Sequence, residues 1–380
     1  MPLWILGLSS AFAVALSGTM VMPIVVLAMS RIPGFDEATA TIVASAELAG
    51  IALYGIFLPR LANRLPRTVA VAGILAVLAG QASSYALTTP LLLALARLVA
   101  GLGEGAVFSL IAVRVASRPN AERLWGALNL IGGTTMGLLL LIISVVPAAP
   151  TQQPVFGLLT GFVLLMLPFF LLMGGRPPIP AGGGKPIALG RGAILRTMIV
   201  VFLVYAVQAG QWAICGYVGE RAGLSTGTVG LFLALSSVAG FLGAVVPAVT
   251  RRRNLRLPLV LAGLLVMAVS LYLFFNVPGG GVFLVAQITL NIGFYMATPF
   301  VTGLLTETDP DGALLSRILV VALFGAAVGT AAAGPILTAV GPSGFGWIYM
   351  LPLGLSALLA ALVFGRLHVD MVAAAAEPAK

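Results

Sequence analysis

Leu93-Ala94-Leu95-Ala96-Arg97-Leu98-Val99-Ala100-Gly101-Leu102-Gly103-Glu104-Gly105-Ala106 places an arginine and a glutamate inside a segment that is otherwise almost wholly apolar from Pro90 to Val113. A run of that length and character matches the hydrocarbon core of a bilayer. A charge at that depth costs roughly 3 kcal/mol or more, so it persists where it faces a polar interior and has a task. Gly101, Gly103 and Gly105 let neighbouring helices approach closely. The stretch therefore predicts a bundle of packed membrane helices with a buried polar site.

The rest of the chain agrees. Of 380 residues, 60% are hydrophobic and only 8% charged, and the mean hydropathy is +1.12. Soluble domains carry about 25% charge, so the composition is that of an integral membrane protein. A single cysteine, Cys215, rules out an internal disulfide or a cysteine metal cluster. The only histidine, His368, lies beyond the last apolar run. Histidine-based metal sites, Ser-His-Asp catalysis and cofactor chemistry are thus not expected.

Apolar runs fall near 4–30, 38–60, 68–87, 90–114, 122–147, 155–174, 194–219, 226–249, 257–276, 280–305, 313–340 and 344–365, about twelve spans. The second, fourth, sixth and eighth connections carry the arginines, among them Arg60, Arg64, Arg67, Arg114, Arg118, Arg123, Arg191, Arg196 and Arg251 to Arg253. Odd connections carry almost none, Arg31 and Arg221 excepted. This alternation puts both termini in the cytoplasm of a multi-pass protein of the inner (plasma) membrane. It also explains the net charge of +9 as a topology signal, so nucleic acid is not an expected partner.

Gly174 to Pro186 is rich in Pro and Gly and is the longest polar break, the composition of a linker. It divides the chain into a six-helix bundle over 1–174, a cytoplasmic linker over 175–192, a second six-helix bundle over 193–366 and a cytoplasmic tail over 367–380, with disorder expected from Ala373. The halves resemble each other weakly. Arg97, Gly101 and Gly103 of span four correspond to Gln287, Asn291 and Gly293 of span ten. Internal duplication with a site between repeats is common in secondary transporters. Because each half supplies the other's interface, a monomer is expected.

With these features on the page, the chain resembles the major facilitator superfamily over nearly its whole length. Leu93-x-x-x-Arg97-x-x-Ala100-Gly101-x-Gly103 is similar to that family's fourth-helix motif, whose arginine is linked to proton coupling in relatives. The family's loop motif between spans two and three is degenerate here. Arg64 and Arg67 are kept, but Asn63 stands where an aspartate belongs, which puts the outward-state latch in doubt. Span five, Gly126 to Gly137, is Gly-rich like the antiporter motif but lacks its Gly-Pro pair. The resemblance implies an all-α fold and transport, and names no substrate.

Three acids and bases are buried candidates. Arg97 and Glu104 are seven residues apart, so they share a face about 10 Å apart along the axis. They bind an anionic group and carry a proton, or they form an ion-pair network that fixes packing. Glu47, in span two at a similar depth to Arg97, pairs with it or carries the proton itself. Gln208, Gln211 and Trp212 in span seven, with Gln287, Asn291 and Tyr295 in span ten, form polar stripes that suit substrate orientation or interhelical hydrogen bonding. Gln81 and Asn129 are assigned to packing.

The leading expectation is a proton-coupled secondary transporter that moves a small organic solute, with export by antiport favoured. No Gly-x-x-x-x-Gly-Lys-Ser/Thr run is present for nucleotide binding. Proton symport of an organic anion is the second reading, drawn from Arg97. A non-transporting or lipid-handling protein on the same fold is the third. A polar cavity among spans one, four, seven and ten would favour a solute transporter, and an apolar one open to lipid would favour the third reading. Glu47 and Glu104 are not ranked against each other.

Overall fold

The computed structural model describes residues 3–116, 121–146, 151–170, 172, 189–250, 252–308 and 313–376. Helices account for the regular structure of these residues, with no strand among them. A chain in lipid must satisfy its backbone groups within each segment, which a helix does.

The first apolar run, expected as one helix, is three pieces: α1 (Leu3–Ala15), α2 (Ser17–Met20) and α3 (Met22–Met29). Leu16 and Val21 leave helical geometry at the joints. The cause is local. Pro23 has no N–H to give the Thr19 carbonyl, one turn earlier, and its ring crowds that carbonyl. At the Leu16 joint the Ser17 hydroxyl takes up the Val14 carbonyl, at 2.9 Å.

α4 (Glu37–Phe57) starts on Asp36, whose Oδ1 accepts the Thr39 N–H at 2.7 Å. α5 (Pro59–Arg64) and α6 (Pro66–Ala86) each begin with proline, which is preset for a first helical turn. α7 (Pro90–Ala116) carries the opening motif. α8 (Ala121–Val145) and α9 (Gln152–Phe170) follow. After the expected linker, of which 173–188 lie outside the described residues, come α10 (Arg191–Arg221) and α11 (Thr226–Gly240). α11 passes through a 3-10 turn, Phe241–Ala244, into α12 (Val245–Val249). Here again a proline, Pro247, deprives the carbonyl one turn earlier of its donor. α13 (Arg256–Asn276), α14 (Gly280–Thr308) and α15 (Ala313–Ala376) complete the chain.

Among the described residues, nine helical stretches are long and apolar enough to cross a membrane. The last of them is divided at Gly341, which sits at φ 70° and ψ 178°. That backbone region favours glycine, and Pro342 follows. α15 then runs on to Ala376, past the residue where the tail was expected to lose order. Ala373 to Ala376 are strong helix formers, and the next proline is Pro378.

Within the first nine helices, α7 packs between α4 and α6. In the later set, α13 packs on α14 and α10 on α15. The two sets meet where α4 lies along α15, α8 along α11 and α3 along α10. The α4–α7 crossing decides the site. A β-carbon on Gly101 would run into the backbone carbonyl of Glu47, so only glycine lets the two helices touch at this depth.

Candidate functional site

Among the described residues, Glu47, Arg97 and Glu104 are the charged members of the buried polar side chains, and each is fully buried. The Gly101 contact puts Glu47 of α4 beside Arg97 of α7, where Arg97 Nη2 donates to Glu47 Oε1 in an ion pair. The other terminal nitrogen, Nη1, donates to Gln81 Oε1 of α6 at 2.8 Å. The guanidinium lies over the Phe156 ring of α9, 5.1 Å from its centroid. Four helices thus hold one cation. Gln81, assigned to packing from the sequence, is one of its partners. A lone amide in an apolar third span was the available signal.

Glu104 takes a different environment. Its Oε1 accepts from the Ser17 hydroxyl and from the Gly18 N–H, both at 3.1 Å. Both donors are neutral and both come from the break in the first span. Continuous helix would have spent the Gly18 N–H on its own carbonyl. Ser17 and Gly18 were missed in the sequence, although Ser17-Gly18-Thr19 followed by Pro23 is a visible weak point in an apolar run. The cluster therefore holds two carboxylates and one guanidinium in a region without solvent. One proton neutralises it, and burying an uncompensated charge costs several kcal/mol.

Directly in front of this cluster is a cavity of about 430 Å³ between the two helix sets. Leu16 and Thr19, which flank the Ser17-Gly18 pair, line it, as do Leu48 next to Glu47 and Phe108 one turn from Glu104. Glu47, Arg97 and Glu104 are not among its lining residues. Most of the wall is apolar and aromatic, including Phe12, Phe241 and Phe294. The opposite wall carries Gln208 and Trp212 of α10 with Asn291 and Tyr295 of α14. Gln208 Nε2 donates to Asn291 Oδ1 at 2.7 Å, and Asn291 Nδ2 donates to the Ser236 carbonyl at 3.2 Å. Tyr295 stacks at a tilt against Phe241, with centroids 4.8 Å apart.

Gln211 and Gln287 do not reach the cavity. They form a second amide layer in which Gln211 Nε2 donates to Gln287 Oε1 at 2.7 Å and to Cys215 Sγ at 3.0 Å. The two stripes read from the sequence thus divide: Gln208, Trp212, Asn291 and Tyr295 line the cavity, and Gln211 and Gln287 are buried between α10 and α14.

A hydrogen bond with a structural cause joins the two helix sets across the cavity. Trp212 Nε1 donates to the Thr19 carbonyl at 3.2 Å, the carbonyl that Pro23 leaves without a helical donor. Nearer one end of the bundle, Arg31 Nη2 meets both carboxylate oxygens of Glu220 at 2.7 and 2.8 Å. The Thr226 hydroxyl also donates to Glu220, and the Gly334 N–H of α15 donates to the Thr41 hydroxyl of α4 at 3.1 Å. Arg64 and Arg67 of the loop motif are exposed and make no ion pair among the described residues. Asn63 lies in α5 and its side chain is outside the described residues, as is that of Asn129 in α8.

The family model for the Major Facilitator Superfamily matches residues 7–314. No curated protein matches the sequence. Among solved structures, a D-xylose–proton symporter superposes with a TM-score of 0.73 at 18% identity, covering 94% of this chain and 96% of that one. The xylose transporter XylE from E. coli, in a partially occluded inward-open conformation, gives 0.72 at 14% identity, with the same coverage. A peptide transporter in complex with sulfate gives 0.74 at 17% identity, covering 96% and 95%. At these identities the likeness is one of fold.

Proposed function

Because the chain belongs to the Major Facilitator Superfamily of transporters, we propose that it moves a small organic solute by alternating access, coupled to protons, and runs as an exporter by antiport. In this reading the chain has twelve spans. The broken first run counts as one, α8 as the fifth, α11 with α12 as the eighth, and Gly341 separates the last two. The linker joins two six-helix halves, and both termini face the cytoplasm in the inner membrane.

One observation carries the coupling assignment. Glu104 is fully buried with neutral donors only, beside a carboxylate that already has its cation. Glu47 and Arg97 form the fixed pair, and Glu104 is the group that takes and releases a proton. Ser17 and Gly18 seat its carboxyl, while Thr19, the next residue, lines the cavity and binds Trp212 of the other half. A change of charge on Glu104 therefore acts on the one short turn that touches both the solute and the far wall. The organic-anion reading loses support, because Arg97 is engaged and outside the lining. The apolar wall gives some support to a lipid-like cargo as a second reading.

Proteoliposomes with an imposed pH gradient and a trapped pH dye test the coupling. Organic cations, organic acids, sugars and neutral aromatic solutes are added in turn. At least one class is expected to speed collapse of the gradient, and Glu104→Gln is expected to abolish that effect while keeping a folded protein. Collapse at the wild-type rate in Glu104→Gln, or no effect of any class, would overturn the proposal.

A further inference from the structure

The cavity wall specifies the charge of its occupant. No charged side chain lines it among the described residues, and the nearest charges lie behind the wall, Arg97 held by Glu47, Gln81 and Phe156, and Glu104 by Ser17 and Gly18. An ion placed there would lose its hydration with nothing of opposite sign to replace it, a loss of several kcal/mol. The volume, about 430 Å³, lies in the range of pockets that enclose drug-sized ligands. The aromatic rings along it offer flat, polarisable contact.

Two residues that line this space each carry a buried side-chain oxygen with no hydrogen-bond partner in the protein, Gln208 Oε1 and Thr330 Oγ1. Thr330 is fully buried. The Gln208 amide is held by its own nitrogen on Asn291, which leaves its oxygen as a free acceptor beside the cavity. A buried polar group left unpaired is costly, so both atoms select for a ligand with a matching hydroxyl or amide.

We infer that the substrate is an uncharged, largely apolar molecule with an aromatic body and a hydroxyl or amide group, read by Gln208 Oε1 and Thr330 Oγ1. This rests on the transporter reading for its biological sense, but binding tests it separately. The full chain in lipid nanodiscs is titrated with four probes on one skeleton: 2-(1-naphthyl)ethanol, 1-naphthylacetate, 2-(1-naphthyl)ethylammonium and 1-ethylnaphthalene. Empty nanodiscs correct for partition into lipid. The alcohol is expected to bind roughly tenfold or more tightly than either ion, a difference of about 1.4 kcal/mol. It should also bind more tightly than ethylnaphthalene, and the double variant Gln208→Leu, Thr330→Val should erase that last advantage alone. Thermal unfolding checks that the variant is folded, and each single variant serves if the double is not.

Equal or tighter binding of either ion would overturn the neutral class. Failure of all four to bind would overturn the aromatic body. An undiminished preference for the alcohol in the folded variant would overturn the role of the two oxygens. Alcohol binding without any effect on a pH gradient would leave the inference standing and overturn proton coupling instead.

Discussion

Arg97 is the one fully buried cation among the described residues. It touches three other helices through Glu47, Gln81 and Phe156. Removing one partner of a buried pair leaves the other charge stranded, which costs about 3–5 kcal/mol, whereas removing both charges together is often close to neutral. Arg97→Ala is therefore expected to lower thermal stability sharply in detergent. The double variant Glu47→Gln, Arg97→Gln should recover much of the loss. A double variant no more stable than Arg97→Ala would show that the pair is not the source of the effect. Glu104 obeys a different rule, because its partners are a hydroxyl and a backbone amide that serve either charge state of the carboxyl with modest rearrangement.

At the scale of the element, proline and caps decide where helices break. Pro23 frees the Thr19 carbonyl for Trp212, and at the separate Leu16 joint, where the Ser17 hydroxyl takes the Val14 carbonyl, the Gly18 N–H is free for Glu104. The two joints of the first span thus supply a contact across the cavity and a carboxylate seat. The start of α4 depends on Asp36, which is exposed in the connection before it. Hydrogen bonds from Thr39, its side chain first and then its backbone N–H, hold the Asp36 carboxyl below its usual value. A depressed folded-state value means that the cap stabilises above the unfolded carboxylate value, near 3.9, and fades as pH falls through the folded one. Asp36→Ala is expected to cost about 1 kcal/mol at neutral pH. The gap in melting temperature between wild type and variant should close on acidification below about pH 4. A gap that is constant with pH would refute the capping account.

For the whole molecule, the arrangement is asymmetric. The buried charge sits in the first helix set and the amides that face the cavity in the second, with the cavity between them. If the solute is neutral and one proton moves per cycle, each cycle transfers net charge, whatever the relative direction of the two. Solute-induced collapse of a pH gradient should therefore need a compensating ion flow. Adding valinomycin with potassium on both sides is expected to speed it severalfold, and a membrane potential alone should drive proton movement. Equal rates with and without valinomycin would mean an electroneutral cycle and a charged substrate. The Arg31–Glu220 pair and the Thr41–Gly334 bond tie the two sets together on the side of the cavity from which α4 starts, so this end must part if the cavity is to open there.

Membrane embedding and helical class could be read from the chain alone, because hydropathy is a property of each segment. So could the buried standing of Glu47, Arg97 and Glu104, since a charge inside an apolar run can only go inward. Gly101 foretold a close crossing, and the Gln208, Trp212, Asn291 and Tyr295 set foretold polar groups in the interior. What needed the tertiary structure was every choice of partner. Nothing local says that Arg97 takes Glu47 and Gln81 while Glu104 takes Ser17 and Gly18, because those contacts depend on how far each helix is turned about its axis. The same rotation sends Gln208 to the cavity and Gln211 into the packing one turn on. The break in the first span was present as Pro23, but its use was not, because the value of a freed carbonyl or amide depends on what the fold brings beside it.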